Sequence, residues 1–309
     1  MSYEKTISMN PDMSGMAEIF PDIVFSRQDG EELTMQILSP WWDHEGGEIP
    51  RYPLIVFIQG CGWTFPNVWY EIPQLSKFAQ EGYVVAAITH RDATQGHPYP
   101  ACIQDVKTAI RFLRKNADIY GIDADRIGLF GTSSGGNLAI LSALYTNETY
   151  FDLIPHSETS TLCLLSEKNK IQDMEYPEFS DKIDYIISCF PTTDFVDFYL
   201  DPGMDTDIKS VFEALSDGKV DEEYSVLKAM SPCHILNELP KKPSLPPILL
   251  AHGTGDLLIP YEHSARLFKI LKEIGADVSF VTVEGGPHEG PFWSREMLSL
   301  IFEFIHSHC

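Results

Sequence analysis

A serine flanked by glycines is the part of the sequence best suited to nucleophilic chemistry. The stretch Gly131-Thr132-Ser133-Ser134-Gly135-Gly136 follows an apolar strand-like run and precedes a helical pattern, which is the context of a G-x-S-x-G nucleophile elbow. The turn is so tight that side chains beside Ser133 would clash, so glycines are needed on both sides. The free N–H groups that start the following helix, including that of Ser134, suit an oxyanion. The alternative is a Gly-rich turn in which either serine only caps the helix.

A serine hydroxyl needs a base within hydrogen-bond reach, and the chain has ten histidines to supply it. His288 follows the last strand-like run in a Gly-Gly-Pro-His-Glu-Gly loop, at the sheet edge where the nucleophile emerges. His252 lies in an apolar strand and is predicted to be a packed core residue. His263 falls on a helix, where we expect it to be exposed. We predict His288 as the base; the alternative is a loop imidazole without a partner.

An acid must orient this histidine and stabilise its charged form. Asp256 ends the segment His-Gly-Thr-Gly-Asp after a buried strand-like run. The chain order is then Ser133, Asp256, His288, which is the order of α/β-hydrolase triads. Asp194, one strand earlier, is the rival acid, and its alternative role is to cap a helix.

Here the chain resembles the α/β-hydrolase superfamily, and within it the carboxylesterases related to hormone-sensitive lipase and the small bacterial feruloyl and acetyl esterases. The resemblance runs from about Tyr52 to the C-terminus. Besides the elbow, four segments carry it: Gln59-Gly60-Cys61-Gly62-Trp63, Tyr120-Gly121-Ile122-Asp123-Ala124-Asp125-Arg126-Ile127, His252-Gly253-Thr254-Gly255-Asp256 and Gly286-Pro287-His288. It implies an α/β-hydrolase fold with inserted cap-like segments, and ester hydrolysis by the Ser–His–Asp mechanism without a cofactor.

The loop after the first buried strand departs from the family pattern. Related esterases carry His-Gly-Gly-Gly there, whereas this chain has Gln59-Gly60-Cys61-Gly62. The resemblance implies that the backbone N–H groups of Gly60, Cys61 and Gly62 join that of Ser134 in the oxyanion hole. Gln59 is then expected to make the loop-orienting hydrogen bond of the absent histidine. Cys61 would cost about 1 kcal/mol or more if its backbone required a positive φ. A catalytic Cys61 is an alternative for which no base is evident in the sequence.

Four aromatic residues lie on loops beside these motifs and are predicted to bind substrate: Trp63, Phe65, Tyr99 and Trp293. An apolar, aromatic-lined pocket suits a neutral acyl or aryl ester. The alternative is that these rings belong to the ordinary core and its rim.

Strand-like runs alternate with helical patterns around these motifs. The predicted strands are residues 19–25, 33–38, 54–59, 83–89, 126–130, 183–190, 248–252 and 278–283. Several are continuously apolar, which is typical of strands buried on both faces of a parallel sheet. Apolar residues at spacings of three and four predict helices over 103–117, 264–274 and 296–305. The fold class is therefore α/β, with a mostly parallel sheet covered by helices.

No linker divides the chain, so we predict one domain over residues 1–309. Two stretches interrupt the alternation. Residues 147–182 are polar and poor in strands, and residues 192–243 carry Asp, Gly, Pro and short helical pieces. Both are either long surface loops or a partial cap over a pocket, and 192–243 is the candidate cap-like insertion.

Composition limits the partners. Lys and Arg total 22 against 45 Asp and Glu, which gives a net charge of −23 and argues against nucleic acid and anionic membranes as partners. The six cysteines form no CxxC or metal-ligand pattern, and no dinucleotide, phosphate-loop or zinc-protease motif is present. We expect no metal and no cofactor. The absence of a leader or apolar span predicts a cytoplasmic location. The oligomeric state is left open, with a homodimer as one option.

These observations predict a serine carboxylesterase that hydrolyses a small-molecule ester through an acyl-enzyme. The resemblance implies short acyl or aryl esters as substrates, including acetyl or feruloyl esters of plant carbohydrate. An arylformamidase or a peptidase with the same triad is one alternative. A non-catalytic binding module of the same fold is another.

Overall fold

The computed structural model describes residues 3–46, 48–145, 175–239 and 243–309. Its strands are β1 (Ala17–Gln28), β2 (Glu31–Pro40), β3 (Tyr52–Ile58), β4 (Val84–Ile88), β5 (Ile122–Thr132), β6 (Tyr185–Cys189), β7 (Ile248–Gly253) and β8 (Val278–Val283). They form one eight-stranded sheet in the order β1-β2-β4-β3-β5-β6-β7-β8. β2 pairs antiparallel with β1 and β4, and all the other pairs are parallel. Each predicted strand overlaps one of these, so the predicted α/β fold is confirmed.

The continuous apolar run in β3 is explained by burial on both faces. Leu54, Val56 and Ile58 belong to one hydrophobic cluster, and Ile55 and Phe57 belong to a second cluster on the opposite face. Successive side chains of a strand point to opposite faces, so a central strand covered on both sides must be apolar at every position.

Helices cover both faces. They are α1 (Ile72–Gln80), α2 (Ala101–Lys115), α3 (Ala117–Tyr120), α4 (Ser134–Leu144), α5 (Phe195–Tyr199), α6 (Thr206–Leu215), α7 (Ser225–Ala229), α8 (Pro232–Glu238), α9 (Glu262–Ile274) and α10 (Arg295–His308). α2, α4 and α9 contribute to the first hydrophobic cluster, and α1 and α10 contribute to the second. The three predicted helices are confirmed, with α3 completing the first of them after a break at Asn116.

The stretch 192–243 contains the short helices α5 to α8. It is tied to α4 because the side-chain amide of Asn137 donates to the carbonyl oxygens of Thr192 and Met230, both at 3.0 Å. Whether it acts as a cap stays a prediction. Most of the other interrupting stretch, residues 147–174 with Cys163, lies outside the described residues.

None of the helices in the described residues is long and apolar enough to cross a bilayer. In the same residues, no group of three or more His, Cys, Asp or Glu side chains is arranged to hold a metal ion.

Candidate active site

Ser133 occupies the turn between β5 and α4, with a strained backbone at φ 52° and ψ −121°. Such a conformation costs a non-glycine residue about 1–3 kcal/mol and persists only where its surroundings enforce it. The flanking glycines supply that enforcement. A Cβ on Gly131 would lie 2.1 Å from the carbonyl oxygen of Gly135, and a Cβ on Gly135 would lie 2.0 Å from that of Ile58. Close backbone packing therefore holds the turn in place and requires both glycines.

Three predicted residues from distant parts of the chain meet at this turn. The Oγ of Ser133 lies 3.0 Å from Nε2 of His288, and Nδ1 of His288 lies 2.7 Å from Oδ2 of Asp256. The carboxylate accepts a hydrogen bond from Nδ1–H, which leaves Nε2 unprotonated and able to accept the serine proton. The geometry is that of a nucleophile, a base and an orienting acid.

The loops that carry the base and the acid follow the neighbouring parallel strands β8 and β7, and they pack backbone to backbone. A Cβ on Gly253 would lie 2.0 Å from the carbonyl oxygen of Gly286. The N–H of Gly255 donates to that same oxygen at 3.0 Å. Because glycines permit this approach, the two loops fix the separation between Asp256 and His288.

The Asp256 carboxylate is fully buried and accepts four hydrogen bonds. Oδ1 accepts the N–H groups of Leu258 and Ile259 at 2.9 Å, and Oδ2 accepts from His288 and, at 3.2 Å, from Nε2 of His252. Burial alone would raise the pKa of Asp256, but these hydrogen bonds outweigh burial and hold its pKa well below the usual range. The carboxylate therefore stays ionised.

The rival acid, Asp194, lies elsewhere. Its side chain accepts from the N–H of Asp197 at 3.2 Å as the N-cap of α5 and pairs with Arg266 at 2.7 Å. The prediction that His263 is exposed is wrong, because its Nδ1 accepts from the backbone N–H groups of Thr193 and Asp194 inside the protein. Burial lowers the pKa of His263 to about 4, so the ring stays neutral and can accept.

The loop after β3 offers fewer free backbone donors than the sequence predicts. The N–H of Gly60 donates to Oγ1 of Thr132 at 2.9 Å, and the N–H of Cys61 donates to Oγ of Ser134 at 3.0 Å. For Gly62 and Ser134, no acceptor of the backbone N–H lies within the described part of the chain. Of the four predicted oxyanion donors, these two remain free, and the other two hold the loop in place.

Cys61 is not strained, because the left-handed backbone falls on the next two residues, Gly62 at φ 63° and Trp63 at φ 58°. Its Sγ donates to the carbonyl oxygen of Thr64 at 3.0 Å and lies 3.5 Å from Nε2 of His90. His90 is fully buried. No sequence pattern predicts this imidazole beside Cys61, because the pairing of β3 with β4 creates the contact.

The expected orienting bond from Gln59 is present. Its Oε1 accepts the N–H of Asn67 at 2.6 Å and thereby closes the loop across eight residues. Gln59 is itself buried, so this bond is shielded from water.

The four aromatic residues predicted to bind substrate differ in exposure. Trp63 is only 4% exposed and packs against Phe195 at a ring separation of 5.1 Å, whereas Phe65 is 49% exposed. Tyr99 and Trp293 are half-buried. Trp63 thus belongs to the core, as the alternative reading allows, and substrate contact by the others stays a prediction.

Sequence reasoning missed two residues beside the base, Phe190 and Glu289, and a third, Glu71, that interacts with Glu289. The ring of Phe190, which directly follows β6, lies 4.7 Å from that of His288. The half-buried carboxyls of Glu71 and Glu289 also lie near one another. Burial and the charge of Glu289 raise the pKa of Glu71 to about 7. Glu289 could have been noticed because it follows His288 directly, but nothing in the sequence marks Glu71.

The chain is similar in sequence to one protein family and to several curated esterases. A family model described as BD-FAE matches residues 44–271. The esterase LipC of Mycobacterium tuberculosis is 25% identical over 256 residues, which are 82% of this chain and 56% of LipC. The isoprenylcysteine alpha-carbonyl methylesterase ICME of Arabidopsis thaliana is 24% identical over 249 residues, 78% of this chain and 51% of that protein. The chain thus spans about half the length of these curated relatives.

Solved structures match over nearly the whole chain. A truncated carbohydrate esterase from gut microbiota superimposes with a TM-score of 0.74 at 23% identity, covering 97% of this chain and 98% of that one. Esterase 2 of Thermogutta terrifontis with butyrate bound gives a TM-score of 0.68 at 25% identity, with 96% and 95% covered. The same esterase has also been solved phosphonylated by sarin, with a TM-score of 0.67 at 25% identity and the same coverage, 96% and 95%.

Proposed function

The chain belongs to the BD-FAE family of α/β-hydrolases, and from that premise we propose that it is a serine ester hydrolase with Ser133 as nucleophile, His288 as base and Asp256 as acid. The observation that carries the proposal is the unbroken hydrogen-bond chain from Ser133 Oγ through the His288 ring to the buried Asp256 carboxylate. Esterases among the relatives and the solved structures support the reaction class.

Acylation begins when Ser133 Oγ attacks the ester carbonyl carbon and its proton passes to Nε2 of His288. The carbonyl oxygen becomes an oxyanion and is bound by the backbone N–H groups of Gly62 and Ser134. The Ser134 N–H stands at the first turn of α4, where the helix dipole also favours negative charge. The C–O bond to the alcohol then breaks, and the leaving alkoxide takes the proton from Nε2.

Deacylation repeats these steps with water as the nucleophile. His288 Nε2 accepts a proton from water, the hydroxide attacks the acyl carbon, and the proton returns to Ser133 as the free acid leaves. Asp256 stays ionised throughout and stabilises the imidazolium that forms in each half-reaction.

The substrate class we propose is esters with short acyl groups, including acetyl or feruloyl esters of plant carbohydrate. Among the solved structures, a carbohydrate esterase and a butyrate complex support it. The exposed Phe65 and the half-buried Trp293 offer apolar surface for an acyl or aryl group.

The test is hydrolysis of p-nitrophenyl acetate and butyrate by the wild type, Ser133→Ala and a matched control, Ser142→Ala. Ser142 is a buried serine in α4 whose Oγ has no partner in the described part of the chain, so the same substitution there should leave the rate within about twofold. Loss of Ser133 should lower kcat by at least about 10³-fold. Equal rates for the wild type and Ser133→Ala would remove Ser133 from its role.

N-formyl anilides and short peptides should be assayed alongside the aryl esters, because an arylformamidase or a peptidase would use the same three residues. Faster turnover of either class than of the aryl esters would replace the ester assignment. Feruloyl and acetylated xylo-oligosaccharides complete the panel. Ester turnover without activity on either sugar ester would reject the carbohydrate proposal.

A further inference from the structure

A second buried imidazole contacts the acid of the candidate triad. His252 is the penultimate residue of β7, and its side chain is 0% exposed. Its Nε2 lies 3.2 Å from Oδ2 of Asp256 and 3.0 Å from the carbonyl oxygen of Ile259. Its Nδ1 lies 2.7 Å from Oγ of Ser264, which is itself buried on α9. Every polar atom of this ring therefore has a partner.

These partners fix the state of the ring. Both atoms facing Nε2 are acceptors, so Nε2 carries a proton. The Ser264 hydroxyl can then donate to Nδ1 of a neutral imidazole. A ring held at both nitrogens cannot rotate without losing hydrogen bonds in a site from which water is excluded, where unmade bonds are costly.

Oδ2 of Asp256 is consequently shared by two imidazoles, His288 at 2.7 Å and His252 at 3.2 Å. Oδ1 is occupied by the backbone N–H groups of Leu258 and Ile259. The backbone donors hold Oδ1, and among the described residues the two rings are the donors to Oδ2, so together they set the tilt of the carboxylate. Without His252, His288 would be the remaining described donor to Oδ2, and the carboxylate could tilt with that ring when it moves.

We propose that His252, held by Ser264, is a positioning residue of the hydrolase that fixes Asp256 against His288 and limits how strongly the carboxylate draws the His288 proton. This proposal rests on the proposed function. His252 touches neither substrate nor the reacting atoms, so it acts through Asp256 alone. Its donation spreads the carboxylate charge over two N–H groups, so removing it should strengthen the bond from Asp256 to the Nδ1–H of His288 and favour the protonated ring in the variant.

The groups that surround His252 define what a pH profile would report. Asp256 lies on its own loop, and His288 approaches from the loop after β8. From α9 and its start, the ring of Tyr261 lies 5.9 Å away, and His263 interacts with His252 electrostatically. Because burial lowers the pKa of His263 to about 4, that ring is neutral above pH 5. Glu289, next to His288, interacts with it electrostatically, and burial and the charge of Glu289 raise the pKa of Glu71 to about 7. The pH profiles are therefore compared in a Glu71→Gln background, where the difference between His252 and its variants reports the Asp256–His288 pair.

The experiment compares His252→Met, which removes the N–H at similar volume, with His252→Gln, whose side-chain amide can replace it. For His252→Met we expect kcat to fall about 10- to 100-fold with KM within about twofold. The acidic limb of its pH profile should move to higher pH. His252→Gln should recover most of kcat and the wild-type limb. Ser264→Ala keeps the Nε2–H of His252 but removes the hydrogen bond that holds the ring. Its kcat should lie between those of His252→Met and His252→Gln, and it replaces His252→Met in the comparison if that variant does not fold.

The matched control is His234→Met. His234 pairs with Glu238 four residues on at 3.0 Å, the same spacing as His252 and Asp256, but on the surface. It should leave kcat and the pH profile unchanged. Thermal unfolding of all variants identifies loss of fold.

A folded His252→Met with wild-type kcat and pH profile would overturn the proposal. A His252→Met that is less stable but keeps the wild-type acidic limb would also overturn it, because that result indicates a purely structural role. A His252→Gln as slow as His252→Met would overturn it as well. The proposed function is checked in the same assay by Ser133→Ala. If the wild type is no faster than Ser133→Ala, that function fails. NMR titration of the His288 ring in His252→Met would then still test the positioning claim, and an unshifted titration would reject it.

Discussion

Replacing Asp256 by Asn should disable the base while leaving the fold intact, and the hydrogen bonds determine how. Oδ1 accepts two backbone N–H groups, from Leu258 and Ile259, so the amide oxygen of Asn must occupy that position. The amide NH₂ is then forced into the place of Oδ2, where His288 and His252 both point an N–H. To avoid two donors facing each other, His288 must adopt the tautomer in which Nδ1 is unprotonated and accepts from the Asn amide. Nε2, still facing Ser133, then carries the proton and cannot accept one from the serine.

The magnitude follows from this change of tautomer. In serine proteases the same substitution lowers kcat about 10⁴-fold because the histidine adopts the wrong tautomer. We expect at least about 10³-fold here, with little change in KM, because the acid does not contact substrate. Some loss of stability should accompany it, since a buried network loses charge-assisted hydrogen bonds.

The assay is kcat and KM for p-nitrophenyl acetate, with thermal unfolding to confirm the fold. Asp194→Asn is the control. It keeps the helix cap, because Asn caps helices as well as Asp does, and removes the negative charge that pairs with Arg266, at a cost of about 1 kcal/mol or less; kcat should change by less than about threefold. A fully active Asp256→Asn together with an inactive Asp194→Asn would refute the reasoning and move the acid one strand earlier.

Three further predictions concern stability and the oxyanion loop. Glu71 has a folded pKa of about 7 against an ordinary 4.5, so its stabilising contribution is complete below pH 4.5 and is lost as the pH rises through 7. Glu71→Gln should therefore be more stable than the wild type at pH 8, by about 1 kcal/mol in free energy of unfolding after solvent screening, and equally stable at pH 4; equal stability at pH 8 would contradict this. Ser134→Ala removes the acceptor of the Cys61 N–H and should lower kcat about 5- to 10-fold in steady-state assays; an unchanged rate would mean that this bond does not hold the loop. Asp105→Asn removes the buried negative charge that pairs with the buried guanidinium of Arg91 and should cost about 3 kcal/mol in urea unfolding; a loss below about 1 kcal/mol would count against the pair.

The sheet and the three residues of the hydrogen-bond chain could be predicted because their signals are local. A central strand must be apolar at every position, as in β3, and the tight turn at Ser133 must carry glycine at fixed positions. His288 and Asp256 follow strands, and parallel strands deliver such loops to one edge of the sheet.

Contacts made only by tertiary packing were beyond sequence reasoning. His263 lies on a helix whose pattern suggests exposure, but it accepts N–H groups from a segment about 70 residues earlier. Cys61 and His90 meet because β3 and β4 are neighbours in the sheet, which their spacing of 29 residues does not reveal. Only two of the four predicted oxyanion donors are free in the described residues, because the N–H groups of Gly60 and Cys61 donate to the hydroxyls of Thr132 and Ser134. No sequence pattern predicts these two hydrogen bonds.

The most direct test of the central claim is to treat the protein with a fluorophosphonate and to map the adduct by mass spectrometry while following esterase activity. The account predicts one adduct per chain, on the peptide containing Ser133, with loss of activity in proportion to labelling and no adduct in Ser133→Ala. Labelling at another residue, or full activity in a fully labelled protein, would contradict it.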